Sequence, residues 1–157
     1  HNHIKELTNG KYDTVSYYSG RWYLAYFDED QQKLINAPEP FAYAFALTEM
    51  EHEKGNSYPL ITNVLFDEFM TRGMYLPDEF ILFMNSLSTI IRKRDNVKIF
   101  CCANTVDMRG CILFKEMGIT KARNGAMKKG DLDVYDYGNS GLRVAVEYCD
   151  TQLEGKP

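Results

Sequence analysis

The sequence predicts an α/β protein with a mixed sheet, on three observations. The centre of the chain reads strand, helix, strand: an apolar run at residues 60–66 (LITNVLF), an amphipathic stretch after Pro77, and a second apolar run at residues 97–102 (VKIFCC). Strands joined through a helix pair in parallel. Around this centre lie aromatic β-runs separated by turn dipeptides, the pattern of antiparallel hairpins. A length of 157 residues, 45% of them apolar, predicts one domain over residues 1–157 with a proper core. The 13% aromatic and 25% charged content excludes wholesale disorder.

The elements follow in order. His1-Asn2-His3 reads as a frayed end. Residues 13–18 and 21–27 are rich in Tyr, Val and Trp and flank Ser19-Gly20, which predicts a tight hairpin. Residues 28–33 are a polar loop, Ala37-Pro38-Glu39-Pro40 is a rigid break, and residues 41–47 resume as a strand. Residues 48–57 are polar and charged and read as loop with a helical turn. The runs at 60–66 and 97–102 suit strands buried on both faces. Pro77 fits the first position of a helix, with Asp78 and Glu79 in the first turn, where negative charge is favoured. Phe80, Ile81, Phe83, Met84, Leu87, Ile90 and Ile91 form its apolar stripe, and Arg92, Lys93 and Arg94 close it. Residues 111–117 predict a short helix ending at Gly118, and residues 122–130 a basic, glycine-punctuated loop. Two more strands lie at 133–137 and 142–148, around Gly138–Gly141.

Several classes of function are disfavoured at once. No apolar run approaches the roughly 20 residues of a membrane span, and no basic-then-apolar signal pattern opens the chain. A net charge of −4 argues against a broad basic face on duplex DNA. Cys101, Cys102, Cys111 and Cys149 include no C-x-x-C pair, so reduced, mostly buried thiols are expected.

The chemistry concentrates where the first apolar run stops at Asp67-Glu68. In open parallel sheets ligands bind beyond the carboxyl ends of the strands. An Asp-Glu pair there has the form of a Walker B motif: the Asp holds Mg²⁺ through its water shell, and the Glu orients or deprotonates the attacking water. The second run is followed by Asn104 at the same edge, a polar side chain able to sense a phosphate or that water. Taken alone, the pattern also fits an ordinary strand ending in solvent.

The surrounding residues add order and spacing. Lys54, Tyr58-Pro59, V-L-F-D-E-F at 64–69, Tyr75-Leu76-Pro77-Asp78-Glu79, Arg92-x-Arg94, the second strand and Ala103-Asn104 succeed one another. This order resembles the DNA-packaging ATPases of small tailed bacteriophages with protein-primed linear genomes. It covers residues 20–104 and extends more weakly to 147. The resemblance implies a P-loop fold with a largely parallel sheet, an additional catalytic-glutamate strand, and an antiparallel aromatic hairpin near the N-terminus. It implies Asp67 as the Mg²⁺-associated acid, Glu68 as the catalytic glutamate, Arg92 as the arginine finger offered to a neighbouring subunit's ATP, Lys54 as a second basic residue at the subunit boundary, and Asn104 as the polar end of the sensing strand. ATP and Mg²⁺ are the implied cofactors. The implied partners are double-stranded DNA, portal and prohead components, and further copies in a ring, all in the host cytoplasm.

One departure qualifies this. No G-x-x-x-x-G-K-[ST] cradle occurs in these residues. The family carries it upstream, which predicts an internal part of the ATPase domain that is catalytically silent by itself. Two other classes stay open. A metal-dependent phage nuclease would use Asp67, Glu68 and Asp107 as metal ligands. A non-catalytic nucleic-acid- or protein-binding module would use the aromatic hairpin as its partner surface. For DNA contact, Lys121, Arg123, Lys128 and Lys129 form one candidate loop, which also reads as an ordinary solvated basic loop.

Overall fold

The computed structural model describes residues 2–150, without the side chain of Glu51. His1 and Pro157, which bound the expected single domain, lie outside the described residues. The chain divides into two compact units: His1–Ile61 with Ser88–Arg92, and Thr62–Leu87 with Lys93–Pro157.

The first unit opens with a helix, α1 (His3–Leu7), where a frayed end was expected. Asn2 caps it: its Oδ1 accepts the Lys5 N–H at 3.2 Å. An antiparallel sheet follows, with β1 (Thr14–Tyr18), β2 (Arg21–Asp28) and β3 (Lys33–Asn36) in sequence order. The two-residue β4 (Ala42–Tyr43) also pairs with β2. Ser19 and Gly20 both adopt positive φ, which a right-twisted two-residue hairpin requires. The predicted hairpin is therefore present, with Tyr17 opposite Trp22 and their rings 4.9 Å apart. β3 was not expected, since the polar loop was read to Lys33 and residues 34–36 were given no element: Asp28-Glu29-Asp30 turns the chain, and Leu34 and Ile35 then pair with Phe27 and Tyr26. The strand expected over residues 41–47 shrinks to β4, and a 3-10 helix over Leu47–Glu53 follows it.

The second unit holds the parallel pair. β5 (Asn63–Asp67) and β6 (Lys98–Cys102) run in parallel, in register from Asn63↔Lys98 to Asp67↔Cys102. They are joined through α2 (Glu79–Ile91). The hairpin of β7 (Leu132–Asp136) and β8 (Arg143–Glu147) completes the strands, after α3 (Ile112–Glu116) and α4 (Thr120–Arg123). α4 lies partly within the expected basic loop.

Three expectations are corrected here. Among the described residues the sheets are mostly antiparallel, and parallel pairing is confined to β5 and β6. The physical reason is connection length: β5 and β6 are joined through the long connection that holds α2, whereas short turns join β1 to β2, β2 to β3 and β7 to β8 and force them antiparallel. Nor are β5 and β6 buried on both faces. Phe66 stacks on Phe83 of α2 at 4.7 Å, but Leu65 and Phe100, paired on the opposite face, are 66% and 50% exposed. Finally, α2 starts at Glu79 rather than Pro77, because Asp78 takes a positive φ of 56° that no helix admits. Glu79 caps the start instead, its Oε2 accepting the Leu76 N–H at 2.8 Å.

Glu79, Phe83, Ser86, Leu87 and Ile90 are the buried residues of α2. The three- and four-residue spacing holds, though Ile81 and Met84 of the expected stripe face outward. Ser86 satisfies its buried hydroxyl by donating to the Leu82 carbonyl at 2.7 Å. The four cysteines are free thiols, but only Cys111 is buried. Cys101 and Cys102 sit on a ribbon with too little cover to bury them.

Candidate functional site

Parallel pairing brings three of the sequence-picked residues to one edge. Asp67 and Cys102 are the last residues of β5 and β6 and face each other in register. Glu68 and Asn104 follow directly beyond that edge, and both are exposed. The Asp67 Oδ1 accepts the N–H of Glu68 at 3.0 Å, leaving Oδ2 with no protein partner among the described residues.

Glu68 itself has a positive φ of 54°. A side-chain-bearing residue pays of order 1–2 kcal/mol for that conformation. The reason lies in its successors. Phe69 and Met70 are buried, Phe69 meets Phe114 edge-on at 5.7 Å, and the Phe69 N–H reaches the Cys102 carbonyl at 3.4 Å. Between an exposed strand end and a buried Phe69, the chain must turn sharply at Glu68. The main chain thereby leaves the line of β5 at Glu68.

Arg92 departs from its expected setting. It is not the closing residue of the helix. It lies one past Ile91 with φ 44°, and Lys93 follows at 64°. Two successive left-handed residues stop α2, so the side chain does not continue the helix. It folds back instead: Nε donates to the Thr89 carbonyl at 3.3 Å, and Nη2 donates to the carbonyls of Lys54 at 3.1 Å and Asn56 at 2.5 Å. Arg92 is exposed, its hydrogen bonds among the described residues all go to main-chain oxygens, and Nη1 has no hydrogen-bond partner among those residues. Lys54 therefore shares a loop with the seat of Arg92.

That loop carries Glu53 and Asn56, to which the sequence assigned no role, and it leads into Tyr58, placed only in the family order. The Oε2 of Glu53 accepts the Asn56 amide at 2.5 Å and also the Tyr58 hydroxyl. Hydrogen bonds from Tyr58 and then Asn56 lower the Glu53 pKa. Burial, reinforced by the bond to Glu53, pushes Tyr58 up to about 12. The Tyr58 ring packs edge-on against Tyr43 and Phe45, at 5.1 and 5.3 Å. The signal available in sequence was the close spacing of Glu53, Asn56 and Tyr58; the first two read only as polar loop, and Tyr58 only as part of Tyr58-Pro59.

The candidate DNA loop is mostly engaged. The Lys121 Nζ lies 2.8 Å from Asp133 and 3.8 Å from Asp131, and the Arg123 Nε donates to the Arg109 carbonyl at 3.2 Å. Asp107 accepts the Gly110 N–H. Among the described residues, no group of three or more His, Cys, Asp or Glu side chains is assembled that could hold a metal.

A mixed α/β chain with one parallel ribbon, bearing paired acids and an asparagine beyond its carboxyl edge, is the class these observations define. The chain belongs to the Podovirus DNA encapsidation protein (Gp16) family, whose model matches residues 32–119, more than half its length. It is 33% identical over 69 residues to the DNA packaging protein of Bacillus phage B103 and 32% identical over 69 residues to that of Bacillus phage phi29. Those alignments cover 42% of this chain and only 22% and 21% of the relatives, so the chain matches about a fifth of their length. Its fold is similar to the crystal structure of the N-terminal domain of the DNA packaging ATPase from bacteriophage phi29. The TM-score is 0.62 at 23% identity, over 91% of this chain and 62% of that one. It is also similar to a chain of the bacteriophage Phi-29 viral genome packaging motor assembly, with TM-score 0.57 at 21% identity, over 92% of this chain and 42% of that one.

Proposed function

We propose that this chain is part of the ATPase domain of a phage genome-packaging motor subunit, of the P-loop class. In this reading ATP hydrolysis drives double-stranded DNA into a prohead, by a ring of copies at the portal, in the infected host's cytoplasm. The observation that carries the reading is the shared edge of β5 and β6, with Asp67, Glu68 and Asn104 at its carboxyl end in a chain of the DNA encapsidation family.

The residues fit a magnesium nucleotide rather than a caged metal. Mg²⁺ keeps several waters and takes one or two carboxylates plus substrate phosphates. A single carboxylate with one oxygen uncommitted, Asp67, suits that role. Bound there, Mg²⁺ would neutralise charge on the phosphates. Glu68 then acts on water: its carboxylate accepts a proton-bearing hydrogen bond and aligns the oxygen for attack. In this reading the two acids do separate work, Asp67 at the end of β5 and Glu68 on the turn beyond it. Asn104 orients the same region with a neutral amide. Arg92 acts on a neighbouring copy, where two N–H groups on Nη1 meet charge developing on the transferred phosphoryl group. Lys54 adds a second positive charge at that boundary.

The test is Glu68→Gln in the full-length protein. The amide keeps shape and hydrogen bonding but loses the charge that polarises water. Turnover and packaging should be abolished while Mg-ATP affinity stays within about twofold. Parental turnover by this variant would remove the catalytic assignment.

A further inference from the structure

Arg92 is held by a loop, and something must hold the loop. The carbonyls of residues 54 and 56 converge on one guanidinium nitrogen. Two carbonyls so close in sequence converge only if the main chain between them is fixed, and Gly55 between them supplies no side chain to fix it. The fixing groups are visible. The Asn56 N–H returns to the Glu53 carbonyl at 2.9 Å, closing a turn. The Glu53 carboxylate grips both the Asn56 amide and the Tyr58 hydroxyl, so one acid ties the start of the loop to its middle and its end. Tyr58 is only 7% exposed and is wedged between Tyr43 and Phe45. A chain of fixed contacts thus runs from a buried aromatic cluster through Tyr58, Glu53 and Asn56 to the two carbonyls, and from these to Arg92.

We propose that Glu53 and Tyr58 are positioning residues for Arg92: they shape the 54–56 loop into a two-carbonyl seat that aims the guanidinium. The inference rests on the reading of Arg92 as the group offered to a neighbouring nucleotide. The seat and the Thr89 carbonyl engage Nε and Nη2, leaving Nη1 for the ligand. Arginine suits this because its fork is rigid: fixing two nitrogens fixes the third. Without the carboxylate of Glu53 the loop loosens, and the fork swings by an ångström or more. A displacement of that size costs about 10²-fold when the group must meet a transition state.

The experiment is ATP hydrolysis by the full-length protein, under conditions where the parental protein turns over, with Glu53→Ala, Glu53→Gln, Tyr58→Phe, Arg92→Ala and the double variant Glu53→Ala/Arg92→Ala. Glu53→Ala and Tyr58→Phe should each lower kcat about 10- to 100-fold with KM for ATP within about twofold. Glu53→Gln keeps an acceptor for both donors and should stay within about threefold of the parent. Adding Glu53→Ala to Arg92→Ala should change kcat by less than about twofold, since an aimed group already removed cannot be misaimed. Thermal melts check folding, and Tyr58→Phe carries the test if Glu53→Ala does not fold. The proposal is overturned if Glu53→Ala and Tyr58→Phe turn over at the parental rate, or if Glu53→Ala costs the same factor with and without Arg92. A large loss for Arg92→Ala beside parental Glu53→Ala and Tyr58→Phe sinks this inference alone. Parental activity of Arg92→Ala sinks the reading of Arg92 and this inference together.

Discussion

Replacing Arg92 with lysine keeps the positive charge beyond the end of α2 and removes the fork. The arginine makes three hydrogen bonds to main-chain carbonyls through two nitrogens, at 3.3, 3.1 and 2.5 Å. An ammonium has a single nitrogen and cannot satisfy the Thr89 carbonyl and the 54–56 seat while also presenting N–H groups to a ligand. Each such bond contributes about 0.5–1.5 kcal/mol, and exposure keeps these at the low end. The stability lost is therefore about 1–2 kcal/mol, or a fall in Tm of about 2–8 °C for a chain of this size. The catalytic loss should be much larger, because an arginine finger is worth about 10³–10⁵ in rate and the lysine is not aimed. We expect kcat for the full-length protein to drop at least about 100-fold, with ATP affinity little changed. The alternative role for Arg92 is favourable charge at a helix C-terminus, which lysine supplies equally well. Steady-state ATPase assays beside differential scanning calorimetry separate the two. A lysine variant with parental kcat would refute the geometric reasoning.

Asp67→Asn should weaken Mg²⁺-dependent nucleotide binding in the full-length protein by tenfold or more while leaving Mg²⁺-free binding unchanged, measured by titration calorimetry with and without the metal. Tyr58 favours its neutral form in the folded state, so its contribution to stability is complete below the unfolded phenol's pKa of about 10 and is lost as pH rises through about 12. Glu53 has the opposite sign: its contribution is present above the unfolded carboxyl's pKa of about 4.3 and is lost as pH falls through its lowered value. Tyr58→Phe should flatten the alkaline limb of stability against pH, and ultraviolet titration of the parent should show a tyrosine ionising near pH 12 that the variant lacks; an unchanged late step in the variant would contradict the buried bond. Phe83→Ala removes a buried ring stacked under β5 and should cost about 3–5 kcal/mol, seen as a large fall in the denaturation midpoint.

Local patterns were legible where one physical cause dominated. The hairpin at Ser19-Gly20 follows from two residues that tolerate positive φ between aromatic runs. The β5–α2–β6 unit follows from two apolar runs flanking a periodic one, and with it the shared edge of Asp67 and Asn104. What escaped depended on contacts distant in sequence. β3 exists because β2 offers it an edge, not because Lys33-Leu34-Ile35-Asn36 is a strong strand by itself. The breadth of the parallel sheet was overestimated because a resemblance to relatives of greater length carried strands that these residues do not pair. Arg92 read as a helical residue because nothing local announces left-handed φ at an Arg-Lys pair; its seat comes from residues 36 and 38 positions earlier. Tyr58 was legible only as part of Tyr58-Pro59 in the family order, and Glu53 carried no motif, since a carboxylate gripping a buried phenol is a tertiary fact.

The seat of Arg92 is built from peptide oxygens, and every amino acid carries one. A codon change at position 54 can therefore alter the side chain there without erasing the acceptor, whereas position 56 is also held through its own amide by Glu53. For the same reason the two cations are separable by mutation. Lys54→Ala deletes an ammonium but leaves the oxygen that Arg92 binds, so any defect it causes reports on Lys54 itself and not on its neighbour's aim.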